Sequence, residues 1–187
     1  MGAEKRVETY IMKPVEAAPV KLISGILYSD EACLNQAFLK LEEKFGLIDY
    51  RSPLFPFDVS DYYVAEMGSP IFRMFVSFQK LIAPDEIAQI KLDANCIEDQ
   101  LAIRTHRKVN LDPGYMDYDK VVLASAKYNG QKIYLSDGIW ADLTLRYTQG
   151  RFEPYPWSFP DFKSGIYHDV FLSIRHLYKM SMKNQKF

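Results

Sequence analysis

At 187 residues, with 48% hydrophobic and 25% charged residues, the chain carries enough apolar material to bury a core without disulfides or metals. A formal net charge of -1 excludes an overall field that would draw the protein onto DNA or an anionic membrane surface. The two cysteines, Cys33 and Cys96, sit in helical patterns and form no C-x-x-C pair, so a reducing cytoplasm is the expected compartment and a thiolate metal site is not expected.

Residues 1–20 read as an N-terminal arm: Glu4, Lys5, Arg6 and Glu8 interrupt any apolar leader, and Arg6 stands where a myristoylation signal needs Ser or Thr. No later segment approaches the length of a membrane span, so no membrane association is expected. Lys21 to Tyr28 is short and almost wholly apolar, which predicts a buried strand. Asp30 and Glu31 then open a helix with Leu34, Phe38, Leu41 and Phe45 at helical spacing, and Gly46 closes it.

Ile48 to Phe57 predicts a second strand, but Pro53 and Pro56 remove two donors that a central ladder needs, so it belongs at an edge or is partly irregular. Ile71 to Ile82 alternates as a third strand, with Phe72, Met74, Val76 and Phe78 on one face. Pro84, Asp85 and Glu86 start a second helix with an apolar stripe of Ile87, Ile90, Ala94, Ile97 and Leu101. A fourth strand is expected over Arg107 to Leu111, ended by a tight turn at Asp112-Pro113-Gly114.

This order of strand, helix, strand, strand, helix, strand predicts an α+β fold with a ferredoxin-like (split βαβ) core over residues 21–111. The proline-bearing strand falls where that topology puts an edge, and the most apolar strands fall in its middle. Residues 112–187 are expected to complete one domain as a C-terminal β-strand extension and a packing α-helix. Val121 to Lys127 and Lys132 to Leu135 suggest a hairpin around Asn129-Gly130, with a short helix over Tyr118 to Lys127 as the alternative. Asp137-Gly138 turns into a strand at Ile139 to Tyr147. Phe152 to Phe162, interleaved with Pro154, Pro156 and Pro160, predicts an extended strap, and Ile166 to Met182 a final helix.

Several chemistries are excluded. The nine glycines form neither a dinucleotide fingerprint nor a phosphate loop, and His106, His168 and His176 form no H-x-x-x-H pair. No serine lies in a G-x-S-x-G elbow. What remains is a pair of polar segments that the expected topology brings together. The expected site lies between the Asp58 to Glu66 loop and the Asn110 to Tyr115 turn and takes a small phosphorylated or nucleotide-like ligand. Asp58, Asp61 and Asp112 would make polar contacts or hold Mg²⁺, which uses one or two carboxylates plus substrate phosphates. Tyr62 and Tyr63 would supply rings, and Arg107, Lys108 and Lys120 would meet a phosphate, with Glu66, Asn110 and Tyr115 completing the wall. Caps and turns are the ordinary use of such carboxylates, and a solvated face that of such cations. A rival from another class is a non-catalytic RNA- or protein-interaction module. It would use the face of Phe72, Met74, Val76 and Phe78, or the 152–162 strap.

Several blocks carry a resemblance. Pro19 to Ile23 leading to Gly25-Ile26-Leu27-Tyr28-Ser29, Phe55-Pro56-Phe57-Asp58 with Asp61-Tyr62-Tyr63 and Glu66-Met67-Gly68, Val109 to Tyr115, and Phe152-Glu153-Pro154 with Pro156-Trp157 resemble those of an uncharacterised prokaryotic family catalogued as a domain of unknown function. The similarity runs from about Pro19 to the final helix. Some members carry the name "GTP-binding protein", whereas the phosphate loop is missing from this chain. The resemblance implies relatives without implying a mechanism.

Overall fold

A computed structural model describes residues 13–59, 63–104 and 106–184. Its centre is β1 (Val20–Tyr28), all nine residues of which are buried because the strand has a neighbour on each edge and a helical layer on each face. After it come α1 (Glu31–Phe45), β2 (Ile48–Arg51), β3 (Phe55–Pro56), the single turn α2 (Val64–Met67) and β4 (Phe72–Ile82). A 3₁₀ turn at Pro84–Glu86 leads into α3 (Ile87–Leu101), followed by β5 (Val109–Met116), β6 (Lys120–Ser125), β7 (Ile133–Ser136), β8 (Ile139–Thr148) and β9 (Arg151–Pro154). The short α4 (Pro160–Lys163) and the long α5 (His168–Asn184) end the described chain.

The strands form one antiparallel sheet in the order β2-β4-β1-β5-β6-β8-β7, with β3 also on β4 and β9 on β8. Prolines dictate one margin. β2 and β3 lie on the outer edge of β4, and the break between them is bridged by Ser52, whose N–H donates to the Phe75 carbonyl at 2.9 Å while its hydroxyl accepts the Phe75 N–H at 2.9 Å. On one face, Leu22, Ile26, Met74, Val76, Phe78 and Leu111 pack beneath α1 and α3. On the other, Ile23, Phe75, Met116 and Val121 pack beneath α4 and α5. The Tyr178 hydroxyl on α5 donates to the Pro19 carbonyl just before β1 at 2.9 Å. None of the helices among the described residues is long and apolar enough to cross a membrane.

Four expectations are corrected. Asp112-Pro113-Gly114 is not a turn but the middle of β5, in register with Gly25, Ser24 and Ile23 of β1. The residues at 120–125 form a strand, β6, and it does not pair with β7: both pair with β8, and the tight hairpin is β7–β8, where Asp137 and Gly138 both take positive φ. The 152–162 segment is less extended than its prolines predict, since β9 gives way to a turn in which the Ser158 N–H donates to the Tyr155 carbonyl, and then to α4. Finally, Met74, Val76 and Phe78 lie under α1 and α3, with Phe72 packed against them, so this face offers no open surface to RNA.

Pro113 and Gly114 show how β5 passes straight through a sequence with turn chemistry. Both backbone groups of Leu111 point away from β1 and are taken by side chains of α3: its N–H donates to Glu98 Oε1 and its carbonyl accepts from Lys91 Nζ, each at 2.7 Å. Pro113 is the next residue on that same edge, where no strand requires a donor. Pairing with β6 starts one residue later, at Gly114 opposite Leu123. A Cβ on Gly114 would collide with the Val122 carbonyl and with Leu123. Gly114→Ala should therefore cost roughly 1–3 kcal/mol through forced separation of β5 from β6, read as a lower urea midpoint with an unchanged slope.

Candidate functional site

The sheet is unzipped on one side of Gly114. β5 and β6 are hydrogen-bonded only over Gly114–Met116 and Val121–Leu123, so the N-terminal half of β5 and the C-terminal half of β6 diverge. The gap becomes a cleft of about 830 Å³, within the size range of small-molecule sites. With no backbone closing the gap, α3 from one face of the sheet and Phe159 to Phe162 from the other both line it. Tyr63 and Glu66 line it as well, alongside Asn110 and Asp112.

One wall is a buried charge network. Glu98, only 3% exposed, receives the Leu111 N–H and Arg107 Nη1, the latter at 2.6 Å. Arg107 also grips Glu66 through Nε and Nη2 at 2.6 and 2.8 Å, and its Nη1 donates to Asn110 Oδ1 at 3.1 Å. That bidentate grip fastens α2 to the start of β5 and holds the Glu66 carboxyl below the usual range. Lys91 stands between Glu98 at 3.8 Å and Asp112 at 3.9 Å. Burial pushes the Glu98 carboxyl up despite these cations. Opposite, Lys132 pairs with Asp142 at 3.4 Å, and burial raises the Asp142 carboxyl too.

The other wall is a cation among rings. Arg73 lies 4.8 Å from the Phe57 ring centroid and 5.6 Å from that of Phe162, with its Nη1 on Asp161 Oδ2 at 2.9 Å. Tyr167 donates to the same carboxylate oxygen at 3.0 Å. Among the described residues, three buried side-chain atoms have no hydrogen-bond partner in the protein: Arg73 Nε, Asn110 Nδ2 and Asp161 Oδ1. All three residues line this cleft, where each such atom would cost on the order of 1–3 kcal/mol if left unmatched.

Of the residues expected from sequence, Tyr63, Glu66, Arg107, Asn110 and Asp112 meet here. Asp61 and Tyr62 lie outside the described residues. Asp58 is exposed and lines a separate small depression with Ser69, Pro70 and Phe72. Lys108 donates to the Met67 carbonyl at 2.9 Å, and Lys120 pairs with Asp117 beyond the zipped end of β5, near the half-buried Tyr115. The phosphate contacts expected of Arg107, Lys108 and Lys120 thus meet three side chains already engaged by the protein. Among the described residues no three His, Cys, Asp or Glu gather as a metal-holding group.

Lys91, Glu98, Arg73, Asp142 and Asp161 are not among the residues expected from sequence. A signal existed for the first two: seven residues apart on α3, they share the stripe of Ile87, Ala94 and Leu101, where an ionisable group must be paired. Arg73 likewise alternates with Phe75 on the inward face of β4. Asp161 carries no such mark, because the prolines before it predict extended chain where α4 lies.

Glu98→Ala should cost roughly 3–5 kcal/mol, since it strips the buried partner from Arg107, Lys91 and the Leu111 N–H. The raised Glu98 carboxyl also sets a pH dependence. The native state holds this proton more tightly than the unfolded chain, whose glutamate titrates near 4.5. Its contribution to stability is therefore fully present below that value and is lost as pH rises through the raised one. Urea denaturation across this interval should show that slope in the parent chain and its removal in Glu98→Gln.

No curated protein matches the chain, and no solved structure does. A family model matches residues 18–178, which spans every described strand, from just before β1 to the Tyr178 turn of α5. The chain belongs to that family, the domain of unknown function DUF4416.

Proposed function

We propose that this protein binds a small, polar, nucleotide-like organic molecule in the cleft where β5 and β6 separate. One observation carries the reading: three buried polar atoms without protein partners, Arg73 Nε, Asn110 Nδ2 and Asp161 Oδ1, belong to residues from three different elements that line one cavity. Polar groups placed this way satisfy each other in an ordinary core, and sites built for ligands are where they do not. The lining contains six basic and six acidic side chains, a balance that favours a ligand of little net charge over a polyphosphate. Phe159, 57% exposed, lines the cleft and offers a ring to a flat ligand.

The scaffold reading accompanies it. We take residues 20–116 as a ferredoxin-like core, supported by the antiparallel order β2-β4-β1-β5 with α1 and α3 on one face. In that frame the cleft opens at the outer edge of β5, where the additional strands begin.

A thermal-shift panel of nucleosides, nucleotides, sugars and sugar phosphates tests the proposal. A true ligand at a hundred times its Kd stabilises by about 2.7 kcal/mol. Because the Phe159 ring is exposed, Phe159→Ala should leave the melting temperature of the free protein nearly unchanged while weakening the ligand by about tenfold, the worth of one stacking contact. A panel in which nothing stabilises the parent chain, or in which every stabiliser acts equally on Phe159→Ala and on a cleft-filling Ser125→Trp chain, would sink the idea.

A further inference from the structure

The open edges of the sheet are not alike. β2 and β3 carry Arg51 and Pro56 with Pro53 between them, and β9 carries Arg151, Glu153 and Pro154. Charges and prolines of this kind discourage edge-to-edge pairing. β7, at the far end of the strand order, has neither: it reads Ile-Tyr-Leu-Ser, and all four residues are exposed. The rings around it are already held in place. Tyr128 and Tyr134 each pack with ring centroids 5.0 Å from Trp140 on β8. Two residues beyond the Ala141 that pairs with Ile133, the Leu143 carbonyl accepts the Trp157 indole N–H at 2.8 Å, and Trp157 stacks on Tyr155. Side chains fixed this way lose little freedom when they are covered.

We propose that β7 joins two copies of this chain about a two-fold axis passing through Tyr134, independently of what the cleft holds. When a strand pairs antiparallel with itself, facing residues lie on one face of the sheet, so the axis must pass through a residue. An axis at Tyr134 sets that ring against its own copy and Ile133 against Leu135 of the second copy, so each apolar side chain of β7 meets an apolar one. An axis at Ile133 would set Tyr134 against Lys132, and one at Leu135 would set it against Ser136. Charge does not oppose the union. The net charge is -1, Lys132 is matched by Asp142 of its own chain, and the two Asp137 carboxylates fall at opposite ends of the pairing. Tyr128, Ile133, Tyr134, Leu135 and Trp157 are 70%, 58%, 55%, 38% and 43% exposed. At about 200 Å² for a whole aromatic side chain and somewhat less for an aliphatic one, two copies together present roughly 1,000 Å², the lower limit of a specific interface. β7 is short and shifts register against β8 between Tyr134 and Ser136, so few rungs can form and the rings supply most of the contact. The dimer is accordingly reversible, with a Kd on the order of 10 µM.

Sedimentation velocity on the full chain, from well below that concentration to well above it, should show the mass of one chain giving way to that of two. Tyr134→Lys sets two ammonium groups against each other at the axis and should weaken association at least about tenfold, with the urea midpoint of the dilute chain unchanged. Leu39→Lys, on the exposed side of α1, should leave association as it is. In a Cys96→Ser chain, which lacks the exposed native thiol, Tyr134→Cys should oxidise to a linked dimer. Facing residues of antiparallel strands have Cα atoms about 4.5–5.5 Å apart, a span that a disulfide bridges. Asp137→Cys, three residues from the axis and so roughly 20 Å from its copy, should cross-link far less. A chain that stays monomeric throughout overturns the proposal and leaves this edge for a strand of another protein. So does a dimer that Tyr134→Lys leaves intact, that Leu39→Lys weakens equally, or that Asp137→Cys links as readily as Tyr134→Cys. Should Tyr134→Lys fail to fold, the concentration series of the parent chain and the two cysteine chains still decide.

Discussion

Two side chains of α3 take the place of a missing strand. Where β6 leaves β5, the Leu111 N–H and carbonyl would face the interior without partners, and an unmade backbone pair in such surroundings is costly. Glu98 accepts from the one and Lys91 donates to the other. A lysine amine and a glutamate carboxyl thereby stand in for a ladder rung, and the sheet can divide while that edge of β5 stays satisfied. The edge of β5 that faces the cleft depends on this substitution, because it leaves Leu111 satisfied with no strand beside it.

The same arrangement explains why so many charges are tolerated there. Each carboxylate that bonds the backbone or a cation draws in another partner: Glu98 brings Arg107, Arg107 brings Glu66 and orients Asn110, and Lys91 faces Asp112. Such a chain is stabilising only when its members are held at hydrogen-bonding distance, since desolvation of each ion opposes the gain. The rigid elements α3, β5 and α2 supply that positioning.

Much of the frame is legible in local chemistry. Asp30 caps α1 by accepting from the Cys33 N–H, Pro84 opens the turn into α3, and Pro53 and Pro56 mark an edge, because each of these effects acts within a few residues. Asp112-Pro113-Gly114 misled for the opposite reason. Its local preference is a bend, but β1 supplies partners along the whole of β5, and Pro113 falls where no donor is required, so tertiary pairing prevails. Of the site, the Glu66, Arg107 and Asn110 side is visible as polar residues in two neighbouring segments. Arg73 and Asp161 are 88 positions apart and meet only because α4 folds back over β4, a relation no spacing encodes.

The bond from Tyr178 to Pro19 closes the molecule across 159 positions. Until α5 arrives, Phe75 and Ile23 lack their covering layer on the face they share with Phe171 and Ile174. During synthesis the sheet and its first helical layer can emerge and pair while this aromatic surface stays open to water. Because α5 is made after the whole sheet, it is the element that completes this core, and the nascent chain passes through a stage in which that apolar face is uncovered.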